Sequence, residues 1–221
     1  NLTAGYASFV NGGKKINPIL INRIQNRRGK TIFNSELSEC TGCDRITDSD
    51  EEFPFIKNNL KQVISEETAY QITSILEGAV QRGTGKKLRD LNVPLAGKTG
   101  TTNNNFDAWF IGFSSNLVIG VYVGFDNPKS LGRNETGSKA ALPIFKEFVK
   151  KALYKEEFKE FKIPESIFFA PINYETGIYE DFTNKKSIIE AFKLKDINKI
   201  KNNNLISNYN RDNVIKFRQF Y

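Results

Sequence analysis

Histidine is absent from the 221 residues, and that absence removes more chemistry than any other feature of the composition. A Ser-His-Asp triad, a Cys-His pair and a His-Glu-x-x-His zinc site are all excluded within this sequence. Any proton carrier must be Lys, Glu, Asp, Tyr or Cys. Cysteine is scarce too, limited to Cys40 and Cys43. A zinc site needs four ligands, so only carboxylates or a second chain would complete one here. A redox role needs the pair to open a helix, whereas Thr41-Gly42 reads as a turn inside a polar stretch ending at Glu52. A disulfide pinning a surface loop and two idle thiols both fit the spacing. No cofactor is expected.

Long hydrophobic runs are also missing. Nothing approaches the ~20 apolar residues of a membrane span, and the N-terminus carries no signal-peptide pattern. The best apolar run, Leu117 to Phe125, is short, β-branched and punctuated by glycine, which predicts a strand. Basic residues outnumber acidic ones, 32 to 25, for a net charge of +7. A solvated basic surface explains the excess, and so does an anionic partner. The clusters at Arg27, Arg28 and Lys30 and at Lys185 and Lys186 lack flanking aromatics, so nucleic acid is not the expected partner.

What remains is enough for one domain with a core: 39% of the residues are hydrophobic and 18 are Phe. Asn1 to Val10 reads as the end of a helix, with Asn11-Gly12-Gly13 as its stop, and suggests that the chain continues something longer. Pro18 to Gln25 and Thr31 to Phe33, around the turn Arg27 to Lys30, predict a hairpin. Ser35 to Glu52 is expected to be a long loop. Ser65 is an N-cap with Glu66 and Glu67 in the first turn, and Ala69, Ile72, Leu76, Ala79 and Val80 form one helical stripe. Val93–Thr101, Asp107–Ser114 and Leu117–Phe125 predict a three-stranded antiparallel meander. Ala140 to Leu153 is a helix with Leu142, Ile144, Phe145, Phe148, Val149 and Leu153 apolar and Pro143 in its first turn. The plan is α+β, an antiparallel sheet with packed helices. The expected division is a domain over 1–182 and a basic, Asn- and Lys-rich tail over 183–221.

The motif that carries chemistry is Lys98-Thr99-Gly100-Thr101-Thr102. It sits among further blocks: Arg-Gly-Thr-Gly at 82–85, Leu-Ala-Gly before Lys98, Asp-Ala-Trp-Phe-Ile-Gly-Phe at 107–113, Val-Tyr-Val-Gly-Phe-Asp-Asn-Pro at 121–128, Glu-Thr-Gly at 135–137 and Ala-Leu-Pro-Ile-Phe at 141–145. Ala4 to Gly13 and Pro171 to Gly177 add two more. In this order the blocks resemble the class A (bifunctional) penicillin-binding family across most of residues 2 to 180. The resemblance implies a penicillin-binding transpeptidase fold, in which the K-T-G strand borders the cleft beside the substrate's extended backbone. It implies that Lys98 supports a proton relay with a serine of an S-x-N motif. Gly100 allows close backbone approach. The resemblance also implies that Thr99, Thr101 and Thr102 bind substrate, with the Thr99 and Thr101 hydroxyls toward its carboxylate and the Thr101 N–H in the oxyanion hole. The implied partners are peptidoglycan stem peptides and β-lactams. The implied location is the periplasmic face of the inner membrane, with the membrane anchor and the glycosyltransferase domain elsewhere in the parent.

No serine in the chain is followed by Lys three places on. Ser-x-Asn occurs once, at Ser114-Ser115-Asn116, after the K-T-G motif rather than before it and in an expected turn. The nucleophile, its lysine and the relay serine are therefore expected upstream of Asn1. The chain alone is expected to be inactive as an enzyme, with the upstream half of the same domain as a partner. The second reading is a non-catalytic binding or assembly fragment of a split gene.

Overall fold

The computed structural model describes residues 1–35, 39–41, 55–57, 60–152, 159–179 and 186–196. Helix α1 (Leu2–Val10) opens the chain and stops at Asn11, whose N–H bonds Ala7 O. Gly12 and Gly13 take positive φ as the chain reverses, and a Cβ at Gly13 would strike the backbone of Ile64. The hairpin β1 (Arg23–Gln25) and β2 (Thr31–Asn34) forms as expected but starts late. Ile19 and Ile21 lie outside it, more than half exposed, because no core faces them among the described residues. Strand β3 (Glu39–Thr41), within the segment expected to be loop, pairs with β4 (Phe55–Lys57) just beyond that segment. Cys40 falls in β3, while Cys43, and with it the question of a disulfide, lies outside the described residues.

Helix α2 (Glu66–Gln81) follows its sequence signals. The Ser65 side chain accepts from Thr68 N, and Ala69, Tyr70, Leu76 and Val80 are buried. Hydrogen bonds from Ser65, from its own backbone N–H and from Ser166 hold the Glu67 carboxyl down at about 2. A carboxyl with a depressed folded pKa stabilises the fold fully above its ordinary value near 4.5, and that contribution disappears as pH falls through the folded value. Acid unfolding should therefore steepen between about pH 4.5 and 2. Glu67→Gln, followed by circular dichroism, should flatten that limb.

The central sheet is the predicted meander, β5 (Ala96–Thr101), β6 (Asp107–Phe113) and β7 (Val118–Gly124), antiparallel in that order. Its two faces carry the two cores. Ala108 and Phe110 face a cluster with Val80, Leu88, Leu95, Leu142, Phe145 and Val149. Ala96 and Phe113 face Tyr70, Leu76, Phe161, Ile167 and Phe169. Helix α3 (Leu142–Ala152) begins after a π-turn over Gly137–Ala141 and seats Phe145 edge-on to Phe110, with centroids 4.9 Å apart. Ile144 and Phe148, expected in the buried stripe, are about half exposed: one flank of α3 meets the sheet and theirs does not. Leu153 lies outside the described residues.

The C-terminal part corrects the expected organisation. Strand β8 (Ile167–Asn173) pairs with β9 (Ser187–Lys193), so these residues of the expected tail belong to the folded body. Gln71 of α2 donates to Ala191 O, and Arg82 pairs with Glu190 at 3.1 Å. The strand signal of β8 is masked because five successive residues, Ile167 to Pro171, are buried, leaving no alternation to read. The remaining tail, from residue 197, lies outside the described residues.

Candidate functional site

The K-T-G strand is β5, an edge strand among the described residues, with β6 on one side and no strand on the other. Thr102 N donates to Asp107 O at 3.1 Å. Backbone bonding in an antiparallel pair alternates every second residue. Gly100 and Lys98 therefore turn their backbone groups toward β6, while those of Gly97, Thr99 and Thr101 point away from it; Gly97 is buried, so the edge is open at Thr99 and Thr101. Lys98 Nζ reaches one of these outward groups, Thr99 O, at 3.0 Å.

Side chains alternate across the sheet. Lys98 and Gly100 share a face with Ile111 and Trp109, their partners on β6. Lys98 is exposed there, and Trp109 leans on Tyr122 with centroids 4.7 Å apart. Thr99 and Thr101 share the other face, where two loops meet them. Thr84, of the Arg-Gly-Thr-Gly turn, places its hydroxyl 2.9 Å from that of Thr99. Gly137, of the Glu-Thr-Gly block, donates its N–H to Thr101 Oγ1 at 3.0 Å. A Cβ at Gly137 would strike Trp109 O and lie 2.6 Å from Gly100 O, so the loop rides directly on the backbone of the K-T-G strand.

Thr102 closes the turn after β5. Its hydroxyl accepts from Asp107 N at 2.8 Å and lies 3.3 Å from Asp107 Oδ2. The turn needs left-handed backbone at Asn104 and Asn105, φ 58° and 54°, a conformation asparagine tolerates better than most residues. Ser130 Oγ and Leu131 N bond the carbonyls of these two asparagines. Among the described residues no cation pairs with Asp107. Tyr122 donates to its Oδ1 at 2.8 Å, and this bond, foremost, pushes the phenol pKa up.

The structure therefore gathers Lys98, Thr99, Gly100 and Thr101 on one open edge and puts Thr102 at its end. The Thr84 and Gly137 contacts were not legible beforehand: the two blocks stand out in the sequence, but nothing there aims them at β5. Ser114-Ser115-Asn116 is a turn, as expected. Ser114 is buried and bonds Asn116 Oδ1 at 2.7 Å between β6 and β7, at the end of the sheet away from Thr101. No helix of the described residues is long and apolar enough to cross a membrane.

Residues 1–150 match the penicillin binding protein transpeptidase domain family. Penicillin-binding protein 1A of Rickettsia prowazekii is 41% identical over 94% of this chain and 26% of its own length. The protein of that name from Pseudomonas aeruginosa is 32% identical over 88% of this chain and 27% of its own length. The chain thus spans about a quarter of the curated relatives it matches. The crystal structure of penicillin-binding protein 1A from Haemophilus influenzae superposes with a TM-score of 0.68 at 32% identity, over 87% of this chain and 31% of that one. The sequence blocks, the open K-T-G edge and these matches agree: the chain belongs to the penicillin-binding protein transpeptidase family.

Proposed function

We propose that this chain supplies one wall of the active-site cleft of a peptidoglycan D,D-transpeptidase. The observation that carries the reading is the open edge of β5. Its outward N–H and C=O groups at Thr99 and Thr101 suit an extended peptide added as a further strand. The absence of a Cβ at Gly100 keeps the backbone approachable.

The chemistry is acyl transfer. A serine on an upstream segment attacks the penultimate D-Ala carbonyl of a stem peptide, the terminal D-Ala leaves, and an amine of a neighbouring stem resolves the acyl-enzyme. The Thr101 N–H donates to the developing oxyanion, an interaction worth about 3–4 kcal/mol in comparable sites. The Lys98 ammonium favours the substrate's carboxylate and assists the relay serine, Thr99 and Thr101 offer hydroxyls on the binding side, and Thr102, expected to bind substrate, instead spends its hydroxyl on Asp107 and fixes the end of the strand. A β-lactam presents the same carboxylate and acylates the same serine. The reaction places the parent at the outer face of the cytoplasmic membrane, against peptidoglycan.

A fluorescent penicillin tests this on the chain combined with an upstream segment carrying S-x-x-K and S-x-N. The serine of that segment should be labelled, and Lys98→Ala in this chain should slow labelling about a hundredfold, the low end of what a positioned proton-transfer group contributes. Labelling at an unchanged rate would remove Lys98 from the mechanism.

A further inference from the structure

We propose that Thr84 is a positioning residue: its hydroxyl fixes that of Thr99 as a donor toward an anionic group lying along the open edge of β5. The inference rests on the cleft reading above and names a residue that the K-T-G motif does not contain.

The turn that carries Thr84 is built to hold one side chain in place. Gly83 N and Gly85 N both bond Ala79 O, at 3.2 and 3.0 Å, folding the turn back onto the last turn of α2. A Cβ at Gly83 would lie 2.9 Å from Ala79 O, and one at Gly85 3.1 Å from Val80 Cα. The two glycines flanking Thr84 are thus pressed against helix backbone, and the Thr84 side chain projects between them. On one side of the turn Arg82 is tied to Glu190. On the other, the helical turn Lys86–Leu91 buries Leu88 and Leu91 in the core. Thr84 itself is exposed, and its hydroxyl meets Thr99 Oγ1 at 2.9 Å.

Each hydroxyl has one proton and two lone pairs. When Thr84 donates to Thr99, the Thr99 proton is released outward. A carboxylate accepts only, so an anion at the edge selects that direction, and the chain Thr84 O–H to Thr99 O–H to carboxylate strengthens along its length. Thr101, two residues on, is held in the same sense by Gly137 N–H, which occupies one of its acceptor sites. Two residues of one strand, about 7 Å apart at Cα, are thereby set as donors on one side.

The test has two arms, each with Thr84→Val, which removes the hydroxyl, and Thr84→Ser, which keeps it. The first arm uses this chain alone and reads the side-chain rotamer of Thr99 from three-bond NMR couplings, with thermal unfolding as a check on folding. Expected are one dominant rotamer in the parent and in Thr84→Ser, averaging in Thr84→Val, and unfolding temperatures that agree. A Thr99 coupling that Thr84→Val leaves unchanged overturns the proposal. The second arm uses the chain combined with the S-x-x-K segment and separates penicillin binding from the acylation step. Thr84→Val should weaken binding about fivefold to tenfold with little change in the step that follows, and Thr84→Ser should restore it. A binding constant indifferent to both variants overturns the anion's part in the proposal. Failure of the S-x-x-K segment to be acylated beside the unsubstituted chain would instead overturn the cleft reading, and the anion's part with it, while the Thr99 couplings judge the hydroxyl contact by themselves.

Discussion

Phe145→Ala is expected to destabilise the fold by about 3–5 kcal/mol, the range for deleting a fully buried aromatic ring. Phe145 is completely buried, and it joins α3 to the sheet through its edge-on contact with Phe110. The ring fits because β6 has no side chain at Gly112, where a Cβ would come within 2.6 Å of Phe145 Cζ. Neither Gly112 nor Phe110 can refill the space: one has no side chain, and the other is already buried. The cost then includes both lost transfer energy and a cavity. Urea unfolding followed by tryptophan fluorescence measures it, since Trp109, the single Trp of the chain, lies on β6. A loss under about 1 kcal/mol, less than a single conservative core truncation often costs, would mean that α3 is not held by this contact.

Gly137→Ala should act on the site rather than on the core alone. The new methyl would meet Trp109 O and Gly100 O, both backbone atoms of paired strands, and Gly100 N at 3.1 Å. Flexible side chains retreat cheaply, but a bonded pair of strands does so only by bending. Overpacking of this kind costs about 1–3 kcal/mol. The loop at Gly137, the end of β5 or both must shift, and the Gly137 N–H bond to Thr101 Oγ1 is lengthened or lost. Amide resonances of Thr99, Gly100 and Thr101 should move well beyond those of α2, and penicillin labelling of the combined protein should fall at least tenfold, the effect of about 1.4 kcal/mol on the barrier. Unmoved resonances at all three positions would show that the loop yields and the K-T-G strand does not depend on it.

Much of this was legible in the sequence because local signals and packing agree there. Ser65 and the acidic residues after it mark the start of α2, and the apolar run of Asp107–Phe113 between short connections marks a strand, which the structure buries on both faces at Phe110–Phe113. The meander followed from short connections, and the K-T-G residues from the blocks around them. The losses have physical reasons. β8 is buried on both faces, so its residues show no period. β9 lies in a stretch whose Lys and Asn content resembles a tail, yet Gln71, Arg82 and Thr68 of the α2 region bind it. Ile144 and Phe148 have the helical spacing of core residues, but packing from one side leaves them out. At the site, the sequence identifies Thr99 and Thr101 but not what orients them. Thr84 and Gly137 stand 15 and 36 residues away from their partners along the chain, and only the fold shows that they converge.

On the function proposed above, this chain furnishes the K-T-G wall of a cleft whose serine lies on another segment. Intact-mass measurement after exposure to a penicillin tests it most directly, first on this chain alone, then on the segment carrying S-x-x-K and S-x-N alone, then on the two together. The account predicts no adduct on this chain in any sample, and an adduct on the segment that forms when this chain is present. An adduct on this chain by itself would show that one of its own serines is a nucleophile, and would contradict the account.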